Sequence, residues 1–343
     1  MRFRPRALRV SVLATTLLLV VVSAAWRLAR AEAGRVPAAP ASKTLPPGAS
    51  TTSREGLSVT IDAMTAELRE SPTNSTAAIR LADALLRQAR VLNHDGLPLR
   101  AEAVLDRVLH ANPSDYLARR MRATVYLAQH RFREALAEAR RCRAIRKDDD
   151  VIDGIIGDAS IELGDYAAAF SAFDRMMLSR PDAASYARVS YARELQGDLA
   201  GAIDLMSMAD AATSAHDPEA QAWHASQLGH LHLAGGDLAA ARREYLRAEN
   251  LFPGYPLVRS GLAQIDLASG RPADALARLT ESLESAPSAS DFVLAGDAYS
   301  ALGRLDEAER AYALAEAMWM SDTPDPAALE RFRTTHKRAA GKR

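Results

Sequence analysis

Seven alanines recur along this chain on a beat of about 34 residues. They are Ala101, Ala135, Ala169, Ala202, Ala241, Ala275 and Ala308, at spacings of 34, 34, 33, 39, 34 and 33. A period of that length in helix-forming sequence specifies stacked helical hairpins rather than one globular core. Each hairpin can bury its apolar face only against its neighbours, so the array as a whole makes the core. Arrays of this kind bind other proteins far more often than they catalyse.

About twelve residues before each alanine of the later units stands a second small residue: Ala123, Gly157, Ser190, Gly229, Ala263 and Gly296. Between the two small sites lies a turn, marked by Gly164, Gly197, Gly236, Gly270 and Gly303. Asp165, Asp198, Asp237 and Arg304 follow most of these glycines, reading as a helix stop and the start of the next helix. Pro72, Pro113, Pro181, Pro253 and Pro287 close several units. Two antiparallel helices approach most tightly where neither carries a bulky side chain, so the small sites are expected at the crossing. Larger residues, among them Phe173, Tyr245, Leu279 and Tyr312, fill the space on either side.

This pattern resembles the tetratricopeptide repeat family. The segment from Ile156 to Pro181 carries the family's small, turn, aromatic and closing positions as Gly157, Gly164, Tyr166, Ala169, Phe173 and Pro181. Leu228-Gly229, Gly236, Ala241, Tyr245, Ala248 and Pro253 repeat it. The resemblance implies an all-α fold: a right-handed α-solenoid of about seven helix-turn-helix repeats, with capping helices at both ends. Two departures are local, Lys147 at a closing proline and His130 at a turn glycine. Two units are long, with about seven extra residues around Val91 to Leu99 and about five around Thr213 to Pro218. Both are expected to be loop extensions.

The chain divides by composition. Residues 1–31 read as a signal peptide or membrane anchor: Arg2, Arg4, Arg6 and Arg9 precede an uncharged apolar run over residues 10–26. At 1.5 Å per residue that run spans roughly 25 Å as a helix, close to a bilayer core. Its length, with Arg27 and Arg30 after it, favours an uncleaved anchor in a bacterial-type cytoplasmic membrane. The alternative is cleavage near Ala31, after Ala29-Arg30-Ala31, giving a secreted or periplasmic protein. Both place the repeats outside the cytoplasm. Residues 32–56 are rich in Pro, Ala, Ser and Thr and read as a disordered linker. Leu57, Ile61, Met64 and Leu68 predict an N-terminal capping helix over 57–72. The solenoid is assigned to 73–322. Residues 323–343 are expected to form a short helix, from Ala327 to Lys337, and a basic tail.

The formal charge of zero conceals an uneven distribution. Residues 1–35 hold seven arginines and one acid, and residues 327–343 hold six basic residues and one glutamate. What remains, residues 36–326, has 30 basic against 41 acidic residues. An acidic body argues against a nucleic-acid groove. The single cysteine, Cys142, excludes an internal disulfide framework and sits where other repeats hold alanine. His224, His230 and His232 lack the spacing of a shared metal site, and Asp148-Asp149-Asp150 with Asp153 lacks that of a calcium loop. No nucleotide loop or nucleophile elbow is present. No catalytic, metal or cofactor residues are therefore assigned.

In the family the first helix of each hairpin lines the concave surface. One place after each small site stand Asp83, Thr124, Asp158, Tyr191, His230, Gln264 and Asp297, a polar ladder expected to face the groove and bind peptide. It lacks the Lys, Arg and Asn of the family's carboxylate clamp, so a polar or basic protein segment is the expected partner. The resulting reading is a non-catalytic, extracytoplasmic scaffold or adaptor, serving envelope assembly or secretion. Its alternatives are an enzyme or enzyme subunit with a groove site near Asp158, Tyr191 and His230, and a self-assembling structural repeat.

Overall fold

The computed structural model describes residues 50–336, apart from 95, 286 and 321–325. Within them the chain forms sixteen helices and no strand. A first helix, α1 (Arg54–Glu70), precedes seven hairpins. These pair α2 (Ser75–Leu92) with α3 (Gly96–Ala111), α4 (Tyr116–Ala128) with α5 (Phe132–Ile145), and α6 (Asp150–Glu162) with α7 (Tyr166–Ser179). Next come α8 (Ala183–Leu195) with α9 (Leu199–Ala211), and α10 (Pro218–Ala234) with α11 (Leu238–Leu251). The last two pair α12 (Pro256–Ala268) with α13 (Pro272–Ser285), and α14 (Ala289–Ala301) with α15 (Leu305–Trp319); α16 (Pro326–Thr335) ends the array. The all-α solenoid expected from the period is what forms.

Local chemistry sets the boundaries. Aspartates cap many of the helices, with Asp115, Asp165, Asp182, Asp198, Asp217 and Asp237 each accepting a hydrogen bond from a backbone N–H of the first turn. The turn glycines lie in the left-handed region, with Gly164 at φ +79°. His130 takes the same conformation at φ +57° and so replaces a glycine without changing the turn. The capping helix begins at Arg54, three residues earlier than its apolar pattern implies, because its polar first turn carries no apolar period. Leu57, Ile61, Met64 and Leu68 are all buried.

The seven beat alanines are buried, but the crossing is not small against small. In three hairpins a glycine on the first helix receives an aromatic ring from four residues after the alanine on the second. A Cβ at Gly157 would lie 2.1 Å from the Phe173 ring; Gly229 meets Tyr245, and Gly296 meets Tyr312. Where the first-helix site is Ala123 or Ala263, the opposing residues are Ala139 and Leu279. Ser190 instead donates a hydrogen bond to the carbonyl of Ala202 at 2.7 Å. Volume is thus complementary across each crossing, as a close-packed interior requires.

The two long units depart from the loop-extension expectation. The extra residues lengthen helices: α2 has 18 residues and α10 has 17, where the other first helices of the hairpins have 13. The two extended ends meet. The Glu219 carboxylate, fully buried, accepts from Arg90 at 2.8 Å and Arg87 at 3.1 Å, and Arg87 also pairs with Asp217. Tyr255 Oη donates to the same glutamate at 3.3 Å. Around this clasp, α1 and the first hairpin share one apolar cluster with Ala222, Tyr245, Phe252, Val258 and Ile265 of the fifth and sixth hairpins. Burial pulls the Arg90 pKa down, but the Glu219 charge outweighs it and the guanidinium is held protonated. Replacing Glu219 by Ala leaves two arginines facing a buried void. We expect a loss of roughly 2–4 kcal/mol by urea denaturation, near the lower end for removing one partner of a buried pair because both arginines keep some solvent. Amide exchange is expected to rise in α1 and α2 well before α14 and α15.

Candidate functional site

The ladder occupies the first helices of the hairpins, and most of its members are already engaged. Asp83 is exposed and pairs with Arg87 on its own helix at 3.2 Å. Thr124 and Gln264 are half-buried. Asp158 accepts two hydrogen bonds from Arg188 on the next first helix, at 2.9 and 3.0 Å. His230 Nε2 meets Glu194 Oε1 at 3.1 Å, again across successive first helices, and its Nδ1 is buried without a partner. Asp297 accepts from Tyr312 within its own hairpin at 2.7 Å and lies 2.9 Å from Nε2 of His336, the residue after α16. Asp297 therefore also serves the packing of its hairpin, because the polar end of a core tyrosine needs an acceptor.

Tyr191 marks the centre of this surface. Burial raises its phenol pKa well above the ordinary range, with the charges of Glu162 and Glu194 acting in the same direction and Arg331 of α16 opposing them. The duplicated Ser185-Tyr186-Ala187-Arg188 and Ser190-Tyr191-Ala192-Arg193 divides among faces, since five residues turn a helix by about 140°. Ser185 closes a capping box with Asp182, Arg188 reaches Asp158, Ser190 sits at the crossing and Arg193 pairs with Asp198.

The sequence reading missed Glu162, Glu194 and Arg188, which join the ladder into one charged row. Their signal lay in spacing: Glu194 stands three residues after Tyr191, on the same face. Elsewhere buried acids staple neighbouring helices. Glu138 takes Arg119, Arg122 and Arg141, and Asp153 takes Arg143 and Arg175. Asp266 takes Arg242, Arg271 and Arg278 at the floor of an open cleft of about 500 Å³; burial opposes ionisation there, but the arginine hydrogen bonds hold its pKa at about 2. Asp149 caps α6 and binds Tyr116 and Arg120, so the aspartate run is occupied by helix and tyrosine contacts. Cys142 is buried, which pushes its thiol pKa up to about 11. The three clustered histidines diverge, with His224 on Thr213, His230 on Glu194 and His232 half-buried. Among the described residues no group of three or more His, Cys, Asp or Glu is placed to hold a metal ion.

Two family models described as tetratricopeptide repeat match the chain, one over residues 266–329 and the other over 95–150 and 226–290. The chain is a tetratricopeptide repeat protein. Its fold is similar to that in the APC/C hetero-tetramer Cut9–Hcn1, with a TM-score of 0.62 and 15% identity over 84% of this chain and 55% of that one. This repeat protein thus spans about half the length of that relative. It is also similar to a tetratricopeptide repeat protein from Parabacteroides merdae, at TM-score 0.50 and 17% identity over 73% and 98% of the two chains. The monomeric IFIT1 mutant with Gppp-AAAA gives 0.61 and 13%, over 81% and 66%. At these identities the likeness concerns the fold. Among curated proteins no sequence match is found.

One buried histidine on α10 yields a pH prediction. Burial lowers the His224 pKa from 6.5 to about 4, against the raising charges of Asp210 and Glu219. Between these values the unfolded chain binds more protons than the folded one, so stability rises with pH. We expect a stability contribution present at pH 7 to fall progressively from pH 6.5 to 4, by about 3 kcal/mol in total. His224→Gln is expected to remove that part of the slope in urea midpoints measured across the window.

Proposed function

We propose that this protein is a non-catalytic scaffold or adaptor that binds a polar or basic segment of a partner protein along the inner surface of its first helices. The observation that carries the reading is the row Asp158–Arg188, Glu162, Tyr191 and Glu194–His230, where successive first helices present polar groups to one another and to the groove. Two acids beside a half-buried tyrosine suit a cationic side chain with an apolar stem. The body's excess of acids adds long-range attraction, which salt screens beyond about 10 Å near 0.1 M.

The working location is outside the cytoplasmic membrane, in envelope assembly or secretion, with residues 10–26 as the anchor. That segment lies outside the described residues; among those described, no helix is long and apolar enough to cross a membrane. What supports the anchor is the basic start followed by an apolar run. Intact protein is expected in the membrane fraction, digestible by protease only from the outer side; a mature soluble form beginning near Glu32 or Gly34 would establish cleavage instead.

The binding reading is tested with Asp158→Asn, Tyr191→Phe and His230→Gln combined. Capture of the partner from solubilised membranes is expected to fall at least tenfold, and to weaken further as salt rises. Urea midpoints report whether the fold has survived, since Asp158 and His230 also link neighbouring helices. Undiminished capture by a folded triple variant moves the interface away from this row.

A further inference from the structure

The last helix does more than end the array. His336, immediately after α16, reaches Asp297, a ladder residue of the seventh hairpin, at 2.9 Å. The helix therefore sets its C-terminal end against the ladder at Asp297. Phe332 is its anchor, with ring centroids 5.5 Å from Tyr312 and 5.4 Å from Trp319. Arg333 lies 3.4 Å from Glu316.

We infer that α16 is a replaceable occupant of this inner surface, and that a basic helix carrying one aromatic residue, borne by a partner protein, binds there in its place. The inference rests on the groove reading above and adds the chemistry and the competitor. Three observations favour replacement. The segment 327–343 is basic, six Lys or Arg against one Glu, and its described residues His336 and Arg333 meet the acids Asp297 and Glu316. Among its described side chains, Ala328 and Phe332 are buried and Leu329 packs partly buried against the same cluster. Its polar contacts are partly solvated, and such pairs contribute little individually. Departure of α16 uncovers Tyr312 and Trp319, so the incoming helix needs an aromatic residue where Phe332 now sits.

The probe is a labelled peptide of residues 326–343, added to the full chain and followed by fluorescence anisotropy. In a chain carrying Phe332→Ala and His336→Ala, which loosens the resident helix, the peptide is expected to bind at least tenfold more tightly than to the natural chain. Adding Asp297→Asn to that variant is expected to reverse most of the gain, and so is high salt. Equal binding to both chains, or binding to neither, overturns the inference. Amide exchange on the natural chain provides a second test that needs no variant. Residues 326–336 are expected to open ahead of α14 and α15, whereas exchange together with them makes α16 an integral cap and overturns it too. Concentration-dependent dimers of the natural chain that disappear on adding excess peptide would assign the surface to a second copy's α16 rather than to a partner. Peptide binding without partner capture would uphold this inference while removing the functional reading on which it builds.

Discussion

A carboxylate without access to water holds this solenoid in its closed form. A glutamate buried like Glu219 is tolerable only because Arg87, Arg90 and Tyr255 are all delivered to it, and the four groups come from three separate parts of the chain. A repeat array ordinarily touches only its neighbours, so its stability is a sum of units and adjacent interfaces. Here the first hairpin is joined to the fifth, and α1 stacks against the same apolar cluster. Arg54 reinforces the seam by donating to the carbonyl of Pro253 at 3.1 Å. Curvature is thereby fixed by chemistry as well as by the shape of the repeats, and the groove inherits its width from that contact.

Within each hairpin the controlling quantity is volume. Glycine opposite Phe173, Tyr245 or Tyr312, alanine opposite alanine or leucine, and serine bonded directly to a backbone carbonyl are three solutions to one close approach. Of the three aromatics, Tyr312 also carries its hydroxyl to a ladder residue, Asp297. Core packing and the polar inner surface are therefore connected: an aromatic that fills the hairpin also orients a ladder carboxylate. Arginine performs the complementary task between hairpins, stapling buried acids such as Glu138 and Asp266 across neighbouring helices. Much of the acidity counted in the body is spent on these internal pairs, and in the row around Tyr191 Asp158 and Glu194 are likewise met by Arg188 and His230 from neighbouring first helices.

The hairpins, their turns and the polar ladder were legible in the sequence because each follows from spacing within one repeat. Ala169, Gly164 and Asp165 carry that information locally, and so does Tyr191 beside Ser190. The clasp was not legible, since nothing within 130 residues of Arg87 names Asp217 as its partner. Helix lengthening was hidden for a related reason. Val91 to Leu99 contains Asn93 and Gly96, residues typical of turns, yet the helix runs to Leu92 and Asn93 takes the left-handed turn at φ +53°. The partner of Asp297 was equally remote, because His336 follows a helix whose docking is set by Phe332 rather than by any period.

Solenoids commonly grow and shrink by gaining or losing whole units, because any unit can stack on any other. The contact between the first and fifth hairpins removes that freedom from the interval it encloses. Adding one hairpin between them would displace Glu219 along the superhelix by about the 8–10 Å that separates packed helices, stranding a buried charge away from both arginines. Deleting one would do the same in the other direction. The number of repeats from Ser75 to Leu251 is therefore a closed quantity, and with Tyr255 and Ile265 in the same contact, whole units can be gained or lost without disturbing it only beyond α12.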